Sequence, residues 1–382
     1  MDTKDKNPEL SSPGVMFPDS SITPLEVDEL MRPIDGVMRG IPLAESGIEP
    51  DSVEPDIEKE PLRKKSQTPL QESLRRLGRD KRAMASVGVI VFFILLAIVG
   101  PLIYQHIGGL YQSPINGPVG PSVYHSPFHQ ELTNQDLSFS SMYWLGTDDL
   151  GRDLLARLMQ GILISLTVAL LVEIVDVGLG VLVGVLAGYY GGWIDQVLAR
   201  VTDIIFAFPG LLFAIMLTGI FGTEADVVFA PIPLIGANGD ARLILVSLAL
   251  ALTVWPLMAR FVRGQTLSLK EQQFVEAART SGSSNAKIIF RHIVPNVFSI
   301  VIVASTLNIS NTIIGEAGLS LLGLGVQTPG SSIGLMIAQG ENNITGFPWE
   351  VLLPTIVLTI IVLSFSFLGD GLNDAFNPRS KD

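Results

Sequence analysis

The chain has no cysteine, and only 16% of its 382 residues are charged. The missing cysteines exclude a disulfide framework, a thiolate nucleophile and a cysteine-ligated metal within this sequence. The charged fraction is well below the roughly 25% that is usual for a soluble globular protein. Together with a mean hydropathy of +0.44, this low charge indicates a polytopic membrane protein.

Motifs of several enzyme classes are absent as well. The sequence contains no Gly-x4-Gly-Lys-Ser/Thr loop, no His-Glu-x2-His and no Gly-x-Ser-x-Gly. We therefore assign it no catalytic residue, no ATP site, no cofactor and no metal. His125 and His129 are four residues apart, but Pro127 between them argues against a helix that holds both rings. A solvated loop is the better interpretation of these two histidines.

Acidic residues are densest near the N-terminus: residues 1–60 carry −10 and residues 61–82 carry +6, while the other 300 residues carry −8 of the net charge of −12. Residues 1–60 hold 15 acidic and 5 basic residues, whereas residues 61–82 hold 8 basic and 2 acidic ones. Residues 1–70 are rich in Pro, Asp, Glu and Ser and show no hydrophobic period, so we predict a disordered acidic tail. This charge says little about a substrate, and we expect no nucleic-acid partner.

Six apolar runs follow, each close to the ~20 residues that a helix needs to cross the hydrocarbon core. They predict an all-α polytopic membrane protein with six transmembrane helices. Residues 71–105 would hold a basic segment and the first helix, 106–161 a loop, 162–369 a five-helix core, and 370–382 a short tail. The runs cover residues 84–105, 162–189, 204–222, 243–263, 296–322 and 351–369.

The positive charges predict how these helices are oriented. The eight basic residues of 61–82 precede the first helix, which places the N-terminus in the cytoplasm because Lys and Arg concentrate on that side. Six crossings then put 106–161 outside, and they put 264–295 and 370–382 inside. We expect a multi-pass protein of the cytoplasmic (inner) membrane with both termini cytoplasmic.

The predicted cytoplasmic loop 264–295 has a detailed pattern for a connection between membrane helices. Residues 276–282 read EAARTSG, and their surroundings predict a short helix over 270–280. Glu276 lies outside the small, apolar face of this helix, where it can bond to polar groups of a partner. That face consists of Phe274, Ala277, Ala278 and Ser281.

Gly282 and Pro295 are expected to divide the rest of the loop. Glycine suits the left-handed residue that ends a helix. A second short helix is predicted over 285–292, and Pro295 is expected to end it before a membrane helix begins near residue 296. The plainer alternative is an amphipathic loop on the membrane surface. The candidate caps of the second helix are Ser283 and Ser284, and its apolar residues are Ile288 and Ile289.

Several further segments, in chain order, carry a family resemblance. They read LRRL at 74–77, GP at 100–101, LGTDDLGRD at 145–153, GYYGGWID at 188–195, EAGLSLLGLG at 316–325 and NPR at 377–379. With the loop motif, they resemble the C-type permease subunits of oligopeptide, dipeptide and nickel ABC importers. The resemblance covers about residues 74–379, with Asn377 in place of the more usual Asp.

The resemblance implies a type I ABC-importer transmembrane domain, in which 162–369 is the permease core and 264–295 docks on an ATP-hydrolysing subunit. The implied partners are two ABC ATPase subunits, which bind the ATP, a homologous B-type permease, an extracytoplasmic substrate-binding protein and the lipid bilayer. The implied substrate is a di- or oligopeptide, with nickel or another small solute as the alternative. The residues that match the coupling motif are Glu276, Ala277, Ala278, Gly282 and Pro295.

The second apolar run carries two further candidate features. Gly180, Gly184 and Gly188 recur every fourth residue and allow another helix to approach closely, either inside the subunit or in a second permease. Glu173 and Asp176 share one helical face at membrane depth, where ionised groups are costly. They depart from the family pattern. They either line a wet cavity that favours cationic or N-terminally charged peptides, or pair with hydroxyl or backbone groups.

Two segments at the predicted outer surface have structural and functional interpretations. Residues 151–153 predict the start of a helix, either a structural surface helix or an element that gates the pore or touches a binding protein. Glu316 is expected to have a structural role at the outer end of the fifth helix.

Two other protein classes remain as alternatives. An ATP-independent channel or secondary transporter would leave the detailed loop unexplained. An intramembrane hydrolase would need paired catalytic groups at membrane depth, and only Glu173 and Asp176 come near that requirement.

Overall fold

The computed structural model describes residues 69–114, 117–222, 224 and 240–376, and these residues are mostly helical. The predicted acidic tail lies almost entirely outside the described residues. The helices are α1 Pro69–Leu77, α2 Lys81–Tyr104, α3 Pro121–Tyr124, α4 Leu154–Tyr190, α5 Gly192–Phe206, α6 Gly210–Phe221, α7 Asp240–Leu269, α8 Gln273–Thr280, α9 Asn285–Ile288, α10 Val294–Leu321, α11 Ile333–Gly340 and α12 Trp349–Phe376. A small antiparallel hairpin joins β1 Tyr111–Ser113 to β2 Gly117–Val119.

Over the described ranges, five helices are long and apolar enough to span a membrane, which confirms the all-α polytopic fold. They are α2, α4, α7, α9 with α10, and α12. A sixth span exists only if α5 and α6 are taken together, and these two helices meet at 76°. The predicted membrane helix over 204–222 is therefore interrupted, because α5 ends at Phe206 and α6 begins at Gly210. Pro209, in an extended conformation, precedes α6 and interrupts the helix because a proline restrains the residue before it.

Helix α4 begins eight residues earlier than its apolar run. Asp153 caps it, with Oδ1 accepting hydrogen bonds from the backbone N–H groups of Leu155 at 2.9 Å and Ala156 at 3.1 Å. Residues 151–153 therefore start the membrane helix itself and not a separate surface helix, and the loop predicted over 106–161 ends at Asp153. Hydropathy missed these first two turns because they include the charged Arg157.

The two ends of the bundle are distinguished by the short helices at each. The α8 end holds residues 269–293 with the C-terminus of α4, and the α11 end holds residues 105–153 and 322–348. At the α11 end Glu316 is fully buried, and it accepts hydrogen bonds from Ser165 at 2.8 Å and Ser320 at 2.6 Å. Ser320 in turn lies 3.2 Å from the hydroxyl of Ser332, which caps α11. This carboxyl group thus joins α4, α10 and α11, as a structural role requires.

The glycine series of α4 lies against α7. A Cβ atom placed on Gly180 would lie 2.5 Å from the side chain of Met258, and one on Gly188 would lie 2.7 Å from Thr266. At Gly184 the obstacle is backbone, because a Cβ atom would lie 2.6 Å from the carbonyl oxygen of Ala259. The three glycines therefore pack the subunit internally, which is one of the two uses that their spacing allows.

Gly184→Leu is expected to destabilise the protein, because neither helix backbone can move without breaking its own hydrogen bonds. Overpacking of this kind costs about 1–3 kcal/mol or more. Gly178→Leu on the same helix is the matched control, since a Cβ atom there meets nothing within 4 Å. Thermal unfolding of the detergent-purified protein, followed as the fraction that stays monodisperse, should show a lower midpoint for Gly184→Leu alone. Equal midpoints would contradict the close α4–α7 contact.

Candidate functional site

The α8 end presents a rigidly seated surface. Val275, at 0% exposure, packs into a hydrophobic cluster that includes Val185 of α4 and Val262 of α7. Ala278 is half buried against the same cluster, whereas Phe274 and Ala277 are exposed. The sequence predicts the face of α8 that holds Phe274 and Ala277, but it does not predict the burial of Val275. An eight-residue helix has too few turns for its residue pattern to show which side faces the core.

Gly282 ends α8 in the left-handed conformation that the sequence predicts, with a φ of +76°. The N–H of Ser283 donates to the carbonyl of Ala278 at 3.1 Å, and the N–H of Gly282 donates to the carbonyl of Arg279 at 3.0 Å. These two bonds form a Schellman motif, which satisfies the last carbonyl groups of the helix. A side chain at Gly282 would meet nothing within 4 Å, so the constraint at this position is one of backbone conformation.

The second helix of this segment differs from the prediction. Ser284 caps α9, its hydroxyl accepting from the N–H of Lys287 at 3.4 Å. The chain then passes through a π-helical turn, Ile289–Ile293, directly into α10. Pro295 lies in the first turn of α10 and does not separate two helices, so the predicted break is wrong. A proline fits there because first-turn N–H groups have no partner within their helix, and the π turn relieves the clash with the preceding carbonyl.

Two hydrogen bonds attach this segment to the C-terminus of α4. The hydroxyl of Tyr189 donates to Oδ1 of Asn285 at 2.9 Å, and Nζ of Lys270 donates to the carbonyl of Gly188 at 3.2 Å. Ile288 and Ile289 are buried beneath α9 and so belong to the interior, not to the outer surface. The segment is therefore seated on the bundle by its apolar residues and fixed to α4 by polar ones.

The outward face of the α8 end combines aromatic, small and charged side chains. Phe290 is 76% exposed and Phe274 is 41% exposed. Glu276, Ala277 and Arg279 are exposed beside them on α8. Large apolar side chains at a polar end of a membrane bundle indicate a surface that a partner covers. The sequence analysis missed Phe290; its only signal was an aromatic residue directly after two isoleucines.

At membrane depth, Glu173 and Asp176 are both bonded to one side-chain amide. Nδ2 of Asn308 on α10 donates to Oε2 of Glu173 at 3.2 Å and to Oδ2 of Asp176 at 3.1 Å. Both acidic residues are buried, at 8% and 1% exposure. Asp176 also forms part of the wall of a cavity between α4, α7 and α10. Glu173 also has the hydroxyl of Ser305 on α10 as a hydrogen-bonding neighbour, so a hydroxyl partner and a cavity, the two alternatives from the sequence, are both found here.

Two family models match the chain. Residues 180–382 match the binding-protein-dependent transport system inner membrane component, and residues 68–114 match the N-terminal membrane domain of oligopeptide transport permease C. This chain belongs to the family of binding-protein-dependent transport system inner membrane components.

Curated relatives align with nearly the whole permease. The dipeptide transport system permease protein DppC of Alkalihalophilus pseudofirmus is 33% identical over 314 residues, which are 82% of this chain and 91% of the relative. The oligopeptide transport system permease protein OppC of Mycobacterium bovis is 33% identical over 315 residues, covering 81% and 94%. The glutathione transport system permease protein GsiD of Escherichia coli is 36% identical over 314 residues, covering 82% and 92%.

At the α11 end of the permease, His125 is buried, which corrects the expectation of a solvated loop. Its Nδ1 lies 2.6 Å from Oδ2 of Asp153, and its Nε2 lies 3.1 Å from the carbonyl oxygen of Ile107. Both neighbours are hydrogen-bond acceptors, so they hold the ring between Asp153 and the loop backbone. The ring of Tyr104 covers it at 3.8 Å between centroids. The sequence signal was weak because these contacts join residues far apart in the chain.

A second polar cluster ties α11 to the start of α4. Asp148 accepts from Nε of Arg152 at 2.7 Å and from the guanidinium of Arg157. Arg157 also donates to Oε1 of Gln339 on α11 at 2.6 Å. Burial and the adjacent charge of Asp148 raise the pKa of Asp149, although Arg152 opposes the shift. The family motif at 145–153 is therefore a folded junction between loop and membrane helix.

Asp153→Ala is expected to destabilise the permease, because it removes both a helix cap and the hydrogen-bond partner of a buried histidine ring. The cap alone contributes about 1 kcal/mol, and leaving a buried polar group without its partner costs about 1–3 kcal/mol. Asp153→Asn keeps a capping oxygen and should fall between Ala and wild type in thermal unfolding.

Asp203→Ala is the matched control for this prediction. Asp203 pairs with Arg260 at 2.8 Å, but its side chain is 52% exposed. Exposed pairs contribute about 0–1 kcal/mol, so its unfolding midpoint should stay close to that of wild type. A midpoint for Asp153→Ala as high as that of the control would contradict the role given to Asp153.

Proposed function

We propose that this chain is a permease subunit of an ATP-driven importer that carries di- and oligopeptides across the cytoplasmic membrane. The observation that carries the proposal is the alignment, over 81–82% of the chain, with permeases named for dipeptide, oligopeptide and glutathione transport. All three names denote peptides. The subunit itself is a transport component without its own catalysis, and partner subunits hydrolyse the ATP.

In this proposal the α8 end faces the cytoplasm, together with both termini. The basic residues that precede α2 favour that orientation. Two ABC ATPase subunits, a homologous B-type permease and an extracytoplasmic substrate-binding protein complete the importer. The α8–α9 segment, which comprises residues 273–293 and so includes the π turn after α9, is the part that contacts one ATPase subunit. Its exposed Phe274, Glu276 and Phe290 support this use.

Coupling then follows from how the α8–α9 segment is seated. ATP-driven closure of the ATPase dimer displaces the docked segment. Val275 of α8, Ile288 of α9 and the isoleucines of the π turn fix the segment in the bundle core. Tyr189 fixes it to α4, so the displacement moves whole helices. Rigid-body rocking of helices alternates a cavity between the two sides of the membrane. The binding protein delivers peptide to the outward-facing state, and hydrolysis resets the inward-facing one.

Replacing Gly282 tests the function and the coupling segment together. In cells that lack this gene, uptake of labelled di- and oligopeptides should be lost and should return with the wild-type chain. Gly282→Val should restore about ten-fold less uptake or worse, because a β-branched residue is strained at positive φ. Gly282→Asn is the matched control, since asparagine tolerates the left-handed conformation. Membrane levels of each variant, measured by immunoblot, should be equal.

The same cells separate the alternative cargoes and mechanisms. If cells that lack this gene keep peptide uptake and lose nickel uptake, the transported substrate is nickel and not a peptide. Peptide uptake that persists when the ATPase subunits are deleted would indicate a channel or secondary transporter. Normal uptake through Gly282→Val would reject the coupling role of this segment.

Phe290→Ala is expected to weaken association with the ATPase subunits. Truncating a large aromatic side chain at the centre of an interface costs about 2 kcal/mol or more, which corresponds to roughly a thirty-fold weaker complex. Phe92→Ala is the control, because Phe92 is 58% exposed on α2, away from the α8 end. Co-purification of ATPase subunits with tagged permease measures the difference. Equal recovery for both variants would place the ATPase contact elsewhere.

A further inference from the structure

Asp176, one member of the acidic pair at membrane depth, borders a cavity of about 230 Å³ between α4, α7 and α10. Asp176 and Asn308 form its polar wall, and Met258 and Phe261 contribute to the apolar remainder. The cavity lies near the middle of all three helices, far from both ends of the bundle. It is therefore placed where a solute would be halfway across the membrane.

The carboxylates are only partly satisfied by the protein. Each has one oxygen bonded to Asn308, and Glu173 also interacts with the hydroxyl of Ser305, while Oδ1 of Asp176 is buried without a hydrogen-bond partner among the described residues. Among the residues that the structure describes, no Lys, Arg or His forms an ion pair with Glu173 or Asp176. Leaving two buried carboxylates uncompensated at membrane depth is costly. A proton or a cationic group from outside the subunit would relieve this cost.

The open side of the cavity does not face lipid tails. Asn311, one turn after Asn308 on α10, is exposed and lines the cavity rim. An amide group has no partners in hydrocarbon, so an exposed amide at this depth faces water or another protein subunit. The rim therefore belongs to a polar path through the membrane.

We propose that Glu173 and Asp176, oriented by Asn308, bind the primary ammonium group of a peptide on its way through the permease. The inference rests on the proposed peptide import and names the chemical group that the path recognises. An ammonium group has three N–H donors, and the carboxylate oxygens of the pair, including the unpaired Oδ1 of Asp176, supply acceptors for it. Both a free peptide N-terminus and a lysine side chain carry this group, so the test includes each source.

The test measures peptide binding to the purified assembly of both permeases and the ATPase subunits in nanodiscs. The binding protein is left out, so that its own selectivity does not affect the result. The probes are a fluorescent peptide with a free N-terminus, its N-acetylated form, and an N-acetylated form that carries one lysine. Wild type should bind the two ammonium-bearing peptides about ten-fold more tightly than the neutral one, the size expected for a charge-assisted hydrogen bond. Glu173→Gln with Asp176→Asn should reduce this ratio to about one while leaving affinity for the neutral peptide unchanged.

Glu350→Gln is the matched control, since it removes another buried carboxyl group, at the α11 end of α12, far from the cavity. It should keep the ten-fold ratio. A wild-type ratio near one, or a ratio that survives the double substitution, would overturn the ammonium site. That outcome, with ATP-dependent peptide uptake intact in proteoliposomes, would leave the proposed function standing. Loss of peptide uptake by the wild-type importer would instead reject the proposed function itself.

Discussion

The close contact between α4 and α7 is the constraint on which the rest of the structure depends. It exists because glycines on α4 leave room for the backbone of α7 at Ala259. In lipid, apolar side chains gain little by leaving hydrocarbon for a protein interior, so close packing supplies much of the association energy. Because these two helices hold each other in place, the segments attached to α4 also keep their positions relative to α7.

Helix α4 carries attachments at both of its ends. Asp153 joins its first turn to His125 of the preceding loop, and Tyr189 joins its last turn to Asn285 beside α8. The helix is 37 residues long, or about 55 Å at 1.5 Å per residue. A displacement at the α8 end therefore reaches the opposite end through one rigid element and does not depend on a chain of flexible loops.

The features that could be predicted from the sequence are local ones. Apolar runs and the conformation of Gly282 depend on a few consecutive residues, and both were predicted correctly in kind. Pro295 was misinterpreted because a π turn, which no residue pattern announces, lets the helix continue through the proline. The burial of His125 depends on partners that lie up to 28 residues away in the chain. The phase of α8 was missed because Val275 is fixed by tertiary packing.

The buried carboxyl groups of the bundle differ in how fully their oxygens are hydrogen-bonded. Glu316 has hydroxyl groups on both of its oxygens and joins three helices. Glu173 and Asp176 share one amide, Glu173 also interacts with the hydroxyl of Ser305, and Oδ1 of Asp176 has no partner among the described residues. The shared amide belongs to α10, whereas both acids belong to α4, so the bridge depends on the spacing of two helices that continue to the α8 end. Because hydrogen bonds weaken steeply beyond about 3.5 Å, a rocking motion that separates α4 from α10 by a small fraction of a helix diameter breaks both bonds. In the proposed importer, the same motion would release both carboxyl groups from the amide, which would link recognition within the membrane to the mechanical cycle of the transporter.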